Sequence, residues 1–198
     1  VINLSLAGLD YSPVLQKAVA DAYADGVMVV AAAGNSSSKQ SFYPSSLLYV
    51  IGVGSTGFDN IRTYYSNYGS GVDLFTPGGD RRVDKNGDGR RDGLILPWMS
   101  PSDDDFTNFN YEYLAGTSFS AAQVSAVVSL MVSRGVQVPS VIERLRYYTA
   151  KDLGAAGRDS IYNFGLLQAF RPVVYASNDR RPNGSLVRVP GTTAIYSI

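Results

Sequence analysis

The stretch Gly116-Thr117-Ser118-Phe119-Ser120-Ala121-Ala122 lies between a polar segment and an apolar run. The apolar run continues to Val132, and no Pro or Gly interrupts it before Gly135, so it predicts a buried helix. We therefore expect Ser118 at a junction between a loop and a helix. The N–H groups at a helix start are unpaired, which leaves two interpretations. Ser118 either caps the helix or acts as a nucleophile whose oxyanion is held by its own N–H.

The composition is typical of one domain with its own core, because 45% of the 198 residues are hydrophobic and 17% are charged. The chain has 17 Lys and Arg and 17 Asp and Glu, so its charge does not indicate a nucleic acid or an anionic membrane as partner. The chain contains no Cys and no His, which excludes a disulfide, a thiol site and a Ser–His pair within it.

Strands and helices alternate along the chain, and this order predicts an α/β fold with a mostly parallel sheet. The apolar run at residues 27–33 suits a parallel strand that is covered on both faces. The predicted strands are residues 1–6, 27–33, 48–53 and 72–75; the predicted helices are 12–25, the run after Ser118, a segment from about 139 to about 149, and a short last helix after 163–169.

The domain division follows changes in composition. We interpret residues 1–170 as one domain with a polar insertion at about 80–105, whose one apolar patch is residues 94–99. Residues 171–198 form a tail that could be a β-hairpin or the start of a further segment. Because the chain starts with residues that are typical of a core strand, we expect it to be the C-terminal portion of a longer domain.

Six motifs, in order, resemble those of the subtilisin-like serine proteases (subtilases, peptidase family S8). They are Val1-Ile2-Asn3-Leu4-Ser5-Leu6-Ala7-Gly8, Ala31-Ala32-Ala33-Gly34-Asn35, Tyr43-Pro44 before Val50-Ile51-Gly52-Val53-Gly54, Tyr65-Ser66-Asn67-Tyr68-Gly69 before Val72-Asp73-Leu74, the Ser118 stretch extended to Ser125, and Gly165-Leu166-Leu167-Gln168-Ala169. The resemblance implies a subtilisin-like sheet with helices on both faces, of which the N-terminal strands are missing here.

The resemblance also implies a serine endopeptidase that acts on polypeptides. Ser118 would be the nucleophile, and the Asn35 amide and the Ser118 N–H would hold the oxyanion. The family usually has Gly where Ala7 stands, so its methyl group is expected to narrow the first pocket. The alternatives are that Asn35 is a turn residue and that the cleft residues are ordinary strand ends. The residues expected to line the substrate cleft are Ser5, Leu6, Ala7, Gly8, Ala32, Ala33 and Gly34.

The family's triad runs Asp, His, Ser along the chain, and its first two regions precede the equivalent of Val1. We therefore expect the N-terminal remainder of the catalytic domain to be a partner that supplies both residues. The chain alone is expected to be inactive. Secretion is also implied by the family resemblance.

The stretch Asp84-Lys85-Asn86-Gly87-Asp88-Gly89-Arg90-Arg91-Asp92 has oxygen side chains at alternating positions, as calcium loops of the EF-hand type do. The twelfth position has Ile95 in place of the usual Glu, and a carboxylate from residues 103–105 could complete the shell. The alternative is a solvated turn. The predicted ligands of a structural calcium ion are Asp84, Asn86, Asp88, the Arg90 carbonyl and Asp92.

Two other function classes are alternatives for an α/β chain of this kind. A non-catalytic, calcium-stabilised module could use the same fold to bind a peptide, and catalytic Asp and His motifs upstream would exclude that alternative. A nucleotide-binding α/β domain needs a phosphate loop, and neither GxxxxGK[ST] nor GxGxxG opens a helix in this chain.

Overall fold

The computed structural model describes residues 1–99, 109–146 and 150–170. Within these ranges, the four predicted strands and the first three predicted helices are present in the predicted order. The strands are β1 (Ile2–Leu4), β2 (Val29–Ala32), β3 (Val50–Thr56), β4 (Leu74–Pro77), β5 (Leu94–Met99), β6 (Phe109–Leu114), β7 (Ala150–Lys151) and β8 (Leu166–Leu167), and the helices are α1 (Pro13–Ala24), α2 (Thr117–Ser133) and α3 (Val138–Arg144).

One six-stranded sheet forms the centre of the fold, in the order β1-β2-β3-β4-β8-β7. Every neighbouring pair is parallel except β7 and β8. The register places Val30 of β2 between Asn3 of β1 and Ile51 of β3. The mostly parallel sheet predicted from the sequence is confirmed.

Helices cover both faces of the sheet, and the alternation of side chains along β2 shows how. Val30 and Ala32 pack into the larger core cluster with α2 residues such as Val124 and Val128. Val29 and Ala31 point to the other face, where they pack with a residue of α1. Because both faces are buried, β2 must be apolar at every position, which explains its uninterrupted run.

The main differences from the sequence prediction concern short or solvent-facing strands. The segment before Gly116 was predicted to be a polar loop, but residues 109–114 form β6, which pairs antiparallel with β5. Within residues 163–169, Leu166–Leu167 form β8, which pairs with Phe75 of β4, and the predicted last helix after them lies mostly outside the described residues. A two-residue strand has no periodicity of its own, so its neighbour determines its conformation.

Three predicted features lie outside the described residues. They are the end of the third helix at residues 147–149, the carboxylates at residues 103–105, and the tail at residues 171–198. Within the described ranges, no helix combines the length and the apolar character needed to cross a bilayer.

An ion pair between a buried carboxylate and a partly buried guanidinium links the residue before β4 to the region after α3. Asp73 is 8% exposed, and its Oδ1 lies 2.6 Å from Arg146 Nη2. Its Oδ2 accepts a hydrogen bond from the Gly52 N–H at 2.9 Å. Burial raises the pKa of the Asp73 carboxyl, and the Arg146 guanidinium opposes this rise. The Arg146 Nε is itself buried without a partner in the described part of the chain, so this guanidinium depends on Asp73.

We expect Asp73→Ala to lower the free energy of unfolding by about 3 kcal/mol, because it leaves a mostly buried cation and a buried N–H unpaired. Urea denaturation at neutral pH measures this loss. The control is Lys17→Ala, which breaks the solvent-exposed Lys17–Asp21 pair and should change stability by less than about 0.5 kcal/mol. Equal losses in the two variants would contradict the prediction.

Candidate active site

Ser118 is the second residue of α2, and it is not the helix cap. The N-cap position is Gly116, which has no side chain to cap the helix. The Gly116 N–H donates to Gly78 O at 2.9 Å and thereby ties the helix start to the end of β4. At the second position of a helix, the N–H has no acceptor within the helix. The Ser118 N–H is therefore available to a group in front of the helix.

The Ser118 hydroxyl lies against the end of β1. Its Oγ donates to the Ser5 carbonyl at 3.3 Å, and Ser5 Oγ donates to the Ser118 carbonyl at 3.0 Å. These reciprocal bonds join residues that are far apart in sequence. They hold the start of α2 beside the segment that follows β1.

Asn35 follows β2 and is fixed by Thr117, the residue before Ser118. Its Oδ1 accepts hydrogen bonds from the Thr117 N–H at 3.0 Å and from Thr117 Oγ1 at 2.9 Å. Thr117 Oγ1 also accepts from the Gly34 N–H at 3.2 Å. Because Oδ1 carries both bonds, the orientation of the amide is defined, and Nδ2 donates to no residue that the structure describes. Asn35 is exposed, so this N–H₂ group is open to a ligand.

These groups face one cavity of about 140 Å³. Three lining residues, Ser36, Phe42 and Thr117, are not predicted from the sequence, because their local pattern is that of ordinary loop and helix residues. The residues that line the cavity are Ser5, Leu6, Ala7, Ala32, Gly34, Asn35, Ser36, Phe42, Thr117 and Ser118.

Two predicted cleft residues, Gly8 and Ala33, do not line the cavity. The Gly8 N–H and carbonyl are already paired with Tyr43, at 2.8 and 2.7 Å. Ala33 is 1% exposed and packs in the core. By contrast, the backbone groups of Leu6 and Ala7 make no hydrogen bond within the described ranges. The free edge of this segment is therefore shorter than predicted.

The Ala7 methyl group lies close to the opposite wall of the cavity. A Cβ atom built on Gly34 would be 3.3 Å from Ala7 Cβ, and Gly34 has a φ of +100°, which favours glycine. Ala7 and Gly34 are therefore nearly in contact at this end of the cavity.

The family model for the subtilase family matches residues 1–165. The chain belongs to the subtilase family. This subtilase chain is 30% identical over 178 residues to a thermophilic serine proteinase of Bacillus sp. (strain AK1), covering 88% of the chain and 38% of that relative. It is 29% identical over 175 residues to thermitase of Thermoactinomyces vulgaris, covering 88% of the chain and 54% of thermitase. The chain therefore spans at most about half the length of these relatives.

Solved structures agree with the fold of this subtilase chain. A protease of Pseudoalteromonas arctica PAMC 21717 superimposes with a TM-score of 0.73 at 28% identity, over 88% of this chain and 50% of that one. A lanthipeptide protease superimposes with a TM-score of 0.70 at 25% identity, over 87% and 60% of the two chains. The predicted subtilisin-like α/β fold is confirmed.

The acidic loop of the insertion uses most of its oxygen atoms within itself. The Asp84 carboxylate accepts from the N–H groups of Gly87 and Gly89, at 2.7 and 2.9 Å. Asp92 Oδ2 accepts from the Lys85 N–H at 2.7 Å. Among the described residues, no three acidic side chains are grouped closely enough to hold a metal ion. Asn86 Oδ1 and Asp88 Oδ1 likewise accept backbone N–H groups, and the Arg90 side chain reaches the Tyr113 hydroxyl.

Proposed function

We propose that the chain carries the nucleophile and the oxyanion site of a serine endopeptidase. The observation that supports this proposal is the approach of Ser118 and Asn35 at one cavity, with two N–H donors free to bind. The donors are the Ser118 N–H, at the helix start, and Asn35 Nδ2. Two donors that line one cavity are suited to the negative charge that develops on a carbonyl oxygen during acyl transfer. Peptide hydrolysis that requires Ser118 is the test.

In this mechanism Ser118 Oγ attacks the carbonyl carbon of the scissile peptide bond and transfers its proton to a base. The carbonyl oxygen becomes an oxyanion, which Asn35 Nδ2 and the Ser118 N–H stabilise. The base then protonates the leaving amine, and water releases the acyl group. The chain contains no His. We therefore assign the base to a His of the N-terminal remainder, oriented by an Asp of the same part.

The substrate would bind as an extended polypeptide beside the segment after β1. The unpaired backbone groups of Leu6 and Ala7 allow a peptide to add as a further strand. Its side chain at the scissile bond would enter the cavity that Ala7 and Gly34 line, and we expect the Ala7 methyl group to favour small side chains there. Secretion, which the family resemblance implies, stays a prediction.

We also propose that the acidic loop binds a structural calcium ion through Asp84, Asn86, Asp88, the Arg90 carbonyl and Asp92. Two observations support this proposal. The donor atoms are all hard oxygens, and Asp92 Oδ1 is buried without a partner among the described residues. A buried carboxylate oxygen that accepts no hydrogen bond is costly, and a cation would relieve that cost. When bound, the ion would cross-link the turns of the loop.

We expect calcium to raise the melting temperature of the protein, with about 2.7 kcal/mol of stabilisation when free calcium is about 100 times its Kd. Calorimetry and thermal melts with CaCl₂ measure this effect. Asp92→Asn should reduce the rise, whereas Asp10→Asn, an exposed carboxylate outside the insertion, should leave it unchanged. A rise of equal size in Asp92→Asn would contradict the site.

A further inference from the structure

Asn67 is a buried polar residue behind the cavity. It is 1% exposed, and it does not line the cavity that holds Ser118 and Asn35. Its segment, residues 65–69, follows β3 and is not part of a helix or strand. A buried amide in such a position needs hydrogen-bond partners, and those of Asn67 identify its role.

All of the side-chain hydrogen bonds of Asn67 go to the backbone of the loop that carries Asn35. Nδ2 donates to the Ala33 carbonyl at 2.8 Å. Oδ1 accepts from the N–H groups of Ser36 and Ser38, each at 3.0 Å. The Asn67 N–H also donates to the Gly34 carbonyl at 3.0 Å. These bonds lie on both sides of Asn35 and leave Asn35 itself free.

The close approach of Asn67 to this loop depends on Gly34. A Cβ atom on Gly34 would lie 2.5 Å from Asn67 Nδ2, so no larger residue fits while Asn67 keeps its place. Neighbouring bonds extend the same contact, because the Ser37 N–H donates to the Tyr65 carbonyl at 2.7 Å and the Tyr68 N–H donates to the Ser38 carbonyl at 3.0 Å. The loop is thus bound from one side by the segment around Asn67 and from the other by Thr117.

We propose that Asn67 is a positioning residue for the oxyanion site. It holds the backbone on both sides of Asn35 so that the Asn35 amide meets the Ser118 N–H at one point. Asn67 does not touch the substrate and acts through Asn35. The proposal rests on the proposed peptidase function, because it names what sets the geometry of that site.

The kinetic test uses Asn67→Ala and Asn67→Asp in the full-length protein. Displacing a catalytic group by about 1 Å costs up to about 100-fold in rate. We therefore expect kcat to fall by about 10- to 100-fold with KM changed by less than about twofold, since the oxyanion contact forms in the transition state. A peptide aldehyde, which forms an oxyanion on Ser118, should lose affinity by a similar factor. Asn67→Asp keeps the size of the side chain and serves if the alanine variant does not fold.

The matched control is Asp73→Ala. Asp73 is also buried, at 8% exposure, and its carboxylate bonds Arg146 and the Gly52 N–H, outside both the Asn35 loop and residues 65–69. Because this variant leaves a cation and a buried N–H unpaired, the control should lose at least comparable stability. We expect its kcat to stay within about twofold of wild type. If kcat falls equally in the control, Asn67 contributes only to overall stability, and the proposal is overturned.

A double-mutant cycle with Asn35→Ala separates positioning from other effects. If Asn67 acts through Asn35, its substitution should lower kcat by less than about threefold once Asn35 is alanine. If the double variant loses kcat by the full product of the two single-variant factors, the two residues act independently and the proposal is overturned. A crystal structure of Asn67→Asp tests the positioning role without any measurement of activity. It is the test to use if the protein shows no Ser118-dependent hydrolysis and the proposed function is wrong. We expect the Asn35–Thr117 hydrogen bonds to lengthen or break, and an unchanged Asn35 would refute the positioning role.

Discussion

Ser118→Ala in the full-length protein is expected to lower kcat for peptide hydrolysis by about a million-fold, the factor known for loss of the nucleophile in a subtilisin and taken over from that enzyme. In the proposed mechanism Ser118 Oγ forms the acyl bond, and alanine has no atom that could replace it. Hydrolysis of a fluorogenic peptide measures the change. Ser129→Ala, on the same helix, is the control because its Oγ bonds only the Ser125 carbonyl among the described residues.

The possible outcomes separate the interpretations of the site. Activity that survives Ser118→Ala would remove Ser118 from the mechanism. Peptide binding that is retained in a wild-type protein without Ser118-dependent hydrolysis would favour the non-catalytic binding module. The chain by itself, with no His, is expected to show no measurable hydrolysis. Robust activity from these residues alone would refute a base outside them.

Asn35→Ala is expected to lower kcat by about 10²- to 10³-fold with little change in KM, a factor that is borrowed from a subtilisin with the same kind of donor. Only the transition state carries the charge that Nδ2 would stabilise, so ground-state binding should not suffer. Steady-state kinetics on one peptide substrate separate kcat from KM.

Asn35→Asp tests whether the Asn35 amide donates a hydrogen bond to the oxyanion or only supports the loop through Thr117. The aspartate keeps an acceptor for the Thr117 N–H and hydroxyl, but it cannot donate to an oxyanion when ionised. We therefore expect it to lose at least as much kcat as Asn35→Ala. If Asn35→Asp remained as active as wild type, Asn35 would be a loop residue and not a donor. A higher KM at unchanged kcat would instead assign it to substrate binding.

The sequence by itself determined the main elements and singled out Ser118 and Asn35, which line one cavity in the structure. The strand β2 is buried at every residue, and the helix α2 has one buried face along its length. Burial selects apolar and small residues in patterns that can be identified without a structure. Ser118 and Asn35 stand directly at the ends of such patterns, next to Gly116 and Gly34. When a long element is predicted reliably, the positions of the residues next to its ends are predicted with it. The location of Ser118 and Asn35 beside the sheet was therefore predictable.

Only the tertiary structure decided which distant residues support that site. Thr117 fixes Asn35 across 82 positions, and Asn67 holds the Asn35 loop across about 30. The Asp73 carboxylate finds Arg146 after 73 positions. A polar residue in an apolar segment indicates that a partner exists, because burying it unpaired is costly. The sequence does not indicate which residue that partner is, because hydrogen bonds between distant segments produce no periodic pattern. The packing of the sheet and helices brings the two segments together.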